Sequence, residues 1–269
     1  MSMTMKKNLA ICLLLVCTFP LLAQKIYQVN EVSEINLGDG RFLYRDTKKE
    51  KPLNGEFRII DGYRSQYVQA EFKEGMFDGK YQEYSHNALR REGSYKEGRK
   101  NGLFREYVGG ALTQEYTFRN DTLDGAFNDL GDTLSIENYA NDLLDGEKVV
   151  FTGGVREEIQ HYKAGKKDGL FVLLDYSTGK PKRETNYKNG RKNGTERVWV
   201  TSNRNDFIET YTYVNDRRHG PYEAVYQEDK QQNIKAGTLK SKGQYRSDSR
   251  SGHWISYDTT GKIEKEWDE

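Results

Sequence analysis

Cysteine is almost absent from this sequence, since its 269 residues include only Cys12 and Cys17. Both lie in an N-terminal stretch that we expect to be removed, so the mature chain would hold neither disulfides nor thiolate metal sites. Proline is scarce at 4 residues, and the net charge is only +1. A near-neutral chain gives no reason to expect nucleic acid as a partner. Stability must therefore come from secondary structure and side-chain packing.

Recognisable catalytic motifs are missing as well. The sequence has neither a Gly-x-Ser-x-Gly elbow nor a phosphate-binding loop. It also has no stretch with sustained helical spacing of apolar residues and helix caps. Four histidines have no partner at metal-ligand spacing: His86, His161, His219 and His253. We therefore predict no enzymatic activity, no metal and no cofactor.

The N-terminus has the pattern of an export signal. Lys6 and Lys7 precede an apolar run over residues 9–22, and Ala23 is a small residue at the expected cleavage point. This pattern predicts a protein of the periplasm, outer membrane or exterior of a Gram-negative bacterium. Two alternatives are an uncleaved membrane anchor and a lipoprotein acylated at Cys17. The apolar run is short for a membrane anchor. A lipobox usually has a small residue before its Cys, which the sequence lacks before Cys17.

Glycine and tyrosine are abundant, with 26 and 19 residues, and the 12% of aromatic residues are regularly spaced. A disordered chain would lack such aromatics. The clearest copy of the spacing is residues 187–194, where an aromatic residue starts a unit and an Asn-Gly pair closes it seven residues later. The same frame occurs at residues 72–79, 95–102, 118–125, 139–146, 162–169, 213–220 and 245–252. Internal repeats of this length indicate an array of small structural units.

Each unit has the pattern of two short strands. An aromatic residue stands two positions after most closing glycines, and an apolar or aromatic residue stands five positions after all of them. Asx-Gly pairs are strong tight-turn signals, and Tyr and Phe suit a pleated surface. We predict an all-β fold: an elongated antiparallel meander of about nine two-stranded repeats in a single-layer twisted sheet. Positions two and five after the closing glycine would face opposite sides of a regular strand. Either both faces of the sheet carry aromatics or a β-bulge lies between the two positions.

Three segments follow from these patterns: a signal peptide at 1–23, an N-terminal cap at 24–53 and the repeat array at 54–269. Within the array, the connection that contains the Asx-Gly pair keeps one length, whereas the other connection varies. Insertions at 201–206 and 227–237 should therefore lie on one edge. Terminal repeats are usually atypical, which is why we expect the cap to cover the first strand.

The repeat resembles a known family. An aromatic residue, Asn-Gly, two basic residues and then Asx-Gly-x-aromatic-x-x-aromatic are typical of MORN-repeat variants, whose bacterial members are often labelled YwqK-like antitoxin components. Residues 95–107, 162–174 and 187–199 carry the resemblance best, and it covers 54–269. It implies a meandering sheet with stacked aromatics. MORN-type repeats are associated with protein scaffolding and with lipid head groups, and the antitoxin label implies a neutralising protein partner in the cytoplasm.

The constant connections suggest one candidate site. If the two residues before each Asx-Gly pair form the centre of a turn, basic side chains should line one edge for roughly 30 Å, at roughly 10 Å per repeat. This candidate rim comprises Arg99, Lys100, Lys166, Lys167, Arg191, Lys192, Arg217, Arg218 and Arg250. It could face an anionic lipid head group, an envelope polysaccharide or an acidic protein. The alternative is a row of ordinary solvated turns that discourage aggregation.

Regular aromatic positions suggest a second candidate. Two files are expected, one of Tyr81, Phe104 and Phe127, and one of Tyr95, Phe118, Tyr139, Tyr162 and Tyr187. Exposed rings could stack on sugars or on a partner's side chains. The alternative is a structural role, in which cross-strand pairs hold the sheet together.

Three functions remain open on the sequence alone. The first is an exported, non-catalytic binding or scaffolding module at the cell envelope, and the second is an antitoxin-like or immunity-like protein that neutralises a polypeptide. The third is a carbohydrate-active enzyme using the recurrent carboxylates Glu83, Glu106 and Asp129. Their expected spacing of roughly 10 Å is at the limit for paired glycosidase acids. A solvated acidic ladder is the simpler interpretation.

Overall fold

A computed structural model describes residues 25–131 and 134–269. The predicted signal peptide, its cleavage after Ala23 and the acylation alternative at Cys17 lie outside the described residues. Within them, the only helix is a single 3-10 turn at Val29–Glu31, and none is long and apolar enough to cross a membrane.

Strands account for most of the described residues. In chain order they are β1 (Lys25–Gln28), β2 (Val32–Asn36), β3 (Phe42–Asp46), β4 (Lys51–Pro52), β5 (Gly55–Asp61), β6 (Gln66–Lys73), β7 (Met76–Ser85), β8 (Ala88–Lys96), β9 (Arg99–Lys100), β10 (Gly102–Val108), β11 (Ala111–Arg119), β12 (Thr122–Asp129) and β13 (Ser135–Ala140). They continue with β14 (Leu143–Leu144), β15 (Gly146–Thr152), β16 (Val155–Lys163), β17 (Lys166–Lys167), β18 (Gly169–Leu174), β19 (Pro181–Lys188), β20 (Arg191–Val200), β21 (Phe207–Val214), β22 (Arg217–Tyr226), β23 (Leu239–Arg246), β24 (Ser249–Tyr257) and β25 (Ile263–Asp268).

The repeats form one open sheet, as the sequence predicts. Nine consecutive antiparallel hairpins run from β5–β6 to β24–β25, and each pairs with the next. The β1 strand extends this sheet by pairing parallel to β5, while β2, β3 and β4 form a small separate sheet. The prediction of an all-β single-layer meander of nine two-stranded units is confirmed.

Tight turns join the hairpins, but they are not where the sequence places them. Each of the eight turns has two central residues with positive φ, two positions after the unit's first aromatic: 74–75, 97–98, 120–121, 141–142, 164–165, 189–190, 215–216 and 247–248. Such turns match the twist of the flanking strands. The assignment of the turn to the Asx-Gly pair is wrong, because that pair lies beyond the turn, either within the following strand or between its two segments. Its glycine forms a β-bulge, as at Gly79, where φ is +115°.

Successive turns are fastened to one another by backbone hydrogen bonds. In every turn the second central residue donates its N–H to a carbonyl of the preceding unit, at 2.8–3.0 Å, as in Gly98 to Phe77 and Asp121 to Lys100. When this turn residue is Asp, its carboxylate also accepts an N–H from the same preceding residue, as Asp142 does from Leu123 at 2.6 Å. These bonds hold the eight turns in step along one edge, the turn edge.

The Asx residue of the bulge has a related role where the next turn contains Gly. Asn54 accepts the N–H of Glu74 at 2.8 Å, Asp145 that of Ala164 at 3.1 Å and Asp168 that of Asn189 at 3.2 Å. The side chain therefore reaches forward to the next unit. This gives the Asx residue a role before three of the bulge glycines, Gly55, Gly146 and Gly169.

We predict that Asp142→Gly lowers the free energy of unfolding by about 1 kcal/mol, because one hydrogen bond to the Leu123 N–H is lost. Glycine keeps the left-handed conformation that the turn requires. Asp142→Asn retains an acceptor and should unfold like the wild type. Urea denaturation followed by circular dichroism measures both variants. An equal loss in Asp142→Asn would show that the side-chain acceptor is not what matters.

The insertions at 201–206 and 227–237 lie on the opposite edge, as predicted, between β20 and β21 and between β22 and β23. The sheet carries aromatics on both faces. Tyr81, at position two, lies on one face and is buried, whereas Tyr84, at position five, stacks on Tyr67 on the other face with ring centroids 4.4 Å apart. We call the face with Tyr81 the aromatic face.

The leader packs against the first two hairpins. The Tyr44 ring lies 5.6 Å from the Phe72 ring and 4.9 Å from the Phe77 ring, and Leu53 is buried among them. The Tyr44 N–H donates to Gly75 at 2.7 Å. The leader thus covers the aromatic face where the array begins.

Candidate binding surfaces

The predicted basic rim divides into two rows, because its residues lie on strands rather than at turn centres. The first member of each pair, such as Lys166, flanks the turn, and the second, such as Lys167, is its neighbour on the same strand. Neighbouring residues on a strand point to opposite faces. The second members therefore lie on the aromatic face and the first members on the other. The expected single strip of nine cations is wrong for this reason.

The second members cover aromatic rings. Lys100 lies 4.8 Å from the Phe118 centroid, Lys167 4.7 Å from Phe171, Lys192 4.8 Å from Tyr213, Arg218 4.4 Å from Tyr245 and Arg250 4.6 Å from Trp254. Burial lowers the pKa of the Lys100 ammonium. These cation–π contacts give the second row a structural role in the sheet.

The first members remain at the turn edge. Arg99 is neutralised there by Asp39 and Asp121, each at 3.3 Å, whereas Lys166, Arg191 and Arg217 are exposed. Strand pairing places a further residue beside each of them across the turn, as Lys188 beside Arg191. The fifth to eighth turns therefore carry six exposed cations, which we call the C-terminal basic edge: Lys163, Lys166, Lys188, Arg191, Arg217 and Arg246. The sequence pattern does not identify Lys163, Lys188 and Arg246 as members, because it indicates a turn two residues too late.

The two expected aromatic files merge into one zigzag of touching rings. Ring centroids are separated by 5.1 Å for Tyr81 and Tyr95, 5.5 Å for Tyr95 and Phe104, and 5.4 Å for Phe104 and Phe118. The zigzag continues to Phe127 and Tyr139, and Tyr162 and Tyr187 both contact Phe171. Phe104 is completely buried. Contacts of this kind stabilise a sheet through its cross-strand neighbours.

Two ion pairs interrupt the zigzag where position two is not aromatic. Lys148 lies 2.7 Å from Glu137, and Glu196 lies 2.7 Å from Lys192. Both carboxylates are buried. Burial alone would raise the pKa of Glu196, but its hydrogen bond with Lys192, the charge of Lys192, and hydrogen bonds with Thr185 and Tyr213 outweigh it and lower the pKa. The pKa of Glu137 is lowered in the same way, with Lys148 and Tyr139 outweighing burial.

We predict that the protein loses stability as the pH falls below about 4.5, the ordinary pKa of these two carboxyls. Both stay ionised to lower pH in the folded chain than in the unfolded chain, so protonation favours unfolding. Urea midpoints measured from neutral pH down to about pH 3 test this. The double variant Glu137→Gln/Glu196→Gln should have a lower urea midpoint than the wild type at neutral pH. Its midpoint should also fall less steeply as the pH decreases. An unchanged acid slope in that variant would contradict the assignment.

The recurrent carboxylates do not form a free acidic ladder. Glu83 and Glu106 share Arg91, which lies 3.5 Å from the first and 2.9 Å from the second. The pKa of Glu106 is lowered, because hydrogen bonds and charge from Tyr116 and Arg91 outweigh burial. For Glu83 and Glu106, this shared cation replaces the solvated ladder that the sequence suggests. Among the described residues, no cluster of His, Cys, Asp and Glu could hold a metal ion.

A shallow groove lies on the aromatic face between the two ion pairs. Its walls include Lys167, Phe171, Arg183, Glu158 and Gln160. Lys167 lies over the Phe171 and Tyr187 rings, 4.7 and 5.1 Å from their centroids, so it competes with a flat ligand for those ring faces. The exposed turn edge is therefore the more accessible candidate.

Neither the known protein families nor the curated proteins include a match to this chain.

Proposed function

We propose that this chain is an exported, non-catalytic repeat protein that serves as a binding and scaffolding module at the envelope of a Gram-negative bacterium. The observation that carries the proposal is the in-step turn edge, where equivalent side chains recur once per hairpin along a continuous sheet. Equivalent sites on one rigid frame favour extended or repetitive ligands, because many weak contacts act together. The N-terminal sequence pattern supports export.

Capture from cell fractions tests this proposal. Tagged protein beginning after Ala23 would be incubated with envelope and cytosolic extracts. We expect an envelope polymer or assembly to be retained, with little retained from the cytosol. Retention from neither fraction, or hydrolysis of a glycan panel by the purified protein, would contradict the proposal.

The second candidate is an immunity-like protein that neutralises a polypeptide. It is favoured by the last strand, β25, for which β24 is the only register partner among the described strands. A free strand edge can accept a strand from a partner. One stoichiometric polypeptide in the capture experiment, with toxicity that co-expression of this chain suppresses, would select this candidate over the scaffold.

A further inference from the structure

The cations of the C-terminal basic edge differ from those of the earlier turns in their partners. Among the described residues, Lys188 is the only one of the six with an ion-pair partner, Asp168 at 3.0 Å. In the first half of the array, by contrast, Arg99 pairs with Asp39 and Asp121, and Arg119 pairs with Asp124 at 2.8 Å. Unpaired positive charge is thus denser at the later turns, because the first four turns carry only Lys73 and Lys96 as exposed flanking cations with no ion pair among the described residues.

Acids at the last two turns keep their own negative charge, but neither forms an ion pair with any of the six cations, and Asp248 pairs with Arg218 at 3.6 Å. Asp216 and Asp248 belong to the seventh and eighth turns, and their carboxylates accept backbone N–H groups of Lys192 and Arg218 at 2.8 and 2.9 Å. The fifth to eighth turns therefore present five cations without a carboxylate partner. Arginines among them can bind a phosphate group through two parallel hydrogen bonds.

The arrangement of the six cations restricts the shape of a partner. Equivalent positions recur roughly every 10 Å, two strand spacings apart. Sheet twist of about 20–25° per strand rotates each turn by about 40–50° relative to the last. Three steps then turn the edge through about 120–150°, so the cations follow a winding line and do not share a plane. A flat membrane can touch only part of such a line, whereas a flexible chain can follow all of it.

We propose that the C-terminal basic edge binds a linear phosphate polymer, which lies along the fifth to eighth turns. This inference rests on the proposed binding function and names its site and ligand class. Charge complementarity supplies the attraction, and release of counterions from the polymer makes it dependent on salt. The second-row cations Lys167, Lys192 and Arg218 are held on aromatic rings and do not take part.

The test compares two variants with the same loss of charge. The edge variant carries Lys163→Gln, Lys166→Gln, Arg191→Gln and Arg217→Gln. The control variant carries Lys80→Gln, Arg90→Gln, Lys230→Gln and Lys235→Gln, four exposed cations away from the turn edge. Binding of long-chain sodium polyphosphate is measured over a salt series, with inorganic phosphate and phosphatidylglycerol–phosphatidylcholine vesicles as further probes. Circular dichroism confirms that both variants fold.

We expect the edge variant to bind polyphosphate on the order of 100-fold more weakly, with a smaller salt slope, and the control to bind within a few-fold of the wild type. Equal losses in both variants, no binding by the wild type, or tighter binding to vesicles than to polyphosphate would overturn the inference. If the edge variant captures the envelope component as well as the wild type does, the inference is overturned and the proposed function stands. If the wild-type protein binds polyphosphate but captures nothing from envelopes, phosphate-polymer binding at the C-terminal basic edge is supported and the proposed function is contradicted.

Discussion

Trp254→Ala is expected to lower the free energy of unfolding by about 3–5 kcal/mol, the usual cost of removing a large buried ring. Trp254 is 1% exposed and packs on Tyr222 and Tyr245, with centroids 5.3 and 5.4 Å away. Trp267, on the last strand, stacks on its other side at 6.1 Å. Removing this ring leaves a cavity at the junction of the last two hairpins. Urea denaturation followed by circular dichroism measures this change in the free energy of unfolding.

Two further variants separate ring packing from the indole N–H. The Trp254 Nε1 is buried and has no hydrogen-bond partner among the described residues, so Trp254→Phe loses no hydrogen bond and should cost far less than Trp254→Ala. Tyr63 is 98% exposed, and Tyr63→Ala should leave the urea midpoint unchanged. A Trp254→Ala variant as stable as the wild type would contradict the packing of this cluster.

Gly93→Ala should destabilise the protein by about 2–3 kcal/mol, although alanine is ordinarily the better residue in a strand. A Cβ at Gly93 would lie 2.5 Å from the Phe104 ring, which is itself completely buried. Gly243 has the same relation to Trp254. The large ring on one strand thus requires a glycine on its neighbour.

A second substitution shows whether the ring is the cause. Phe104→Leu shortens the side chain that the new methyl group meets, so Gly93→Ala should cost less in its presence. Gly62→Ala is the matched control, because a Cβ there meets nothing within 4 Å. Additive losses in the double variant would contradict a direct clash between residues 93 and 104.

The periodic residues made the architecture predictable. The spacing of aromatics and glycines predicts nine hairpins with insertions on one edge, and the pairing pattern agrees. The location of the turn was not predictable from local chemistry. The unit at 187–194 contains both Asn189-Gly190 and Asn193-Gly194, and either dipeptide suits a two-residue turn. Only strand register shows that the first is the turn and the second a bulge.

That single misplacement explains the errors at the candidate site. A turn centred on Arg191 and Lys192 would put both side chains on the rim, whereas a strand sends Lys192 to the aromatic face. The sequence shows Lys148 and Glu196 at positions where most repeats have an aromatic residue, two after the closing glycine. It does not show their partners, Glu137 and Lys192, because ion pairs between strands depend on register.

Distances between spin labels along the turn edge test the central claim most directly, namely that nine hairpins form one continuous sheet with its turns in step. The described residues contain no cysteine, so single labels can be attached at exposed positions before the turns. Pairs from Lys96 to Arg119, Lys163 and Lys188 span one, three and four repeats. The account predicts distances that grow by about 10 Å per repeat, reaching about 40 Å for the last pair. A distance from Lys96 to Lys188 no longer than that from Lys96 to Arg119 would contradict it.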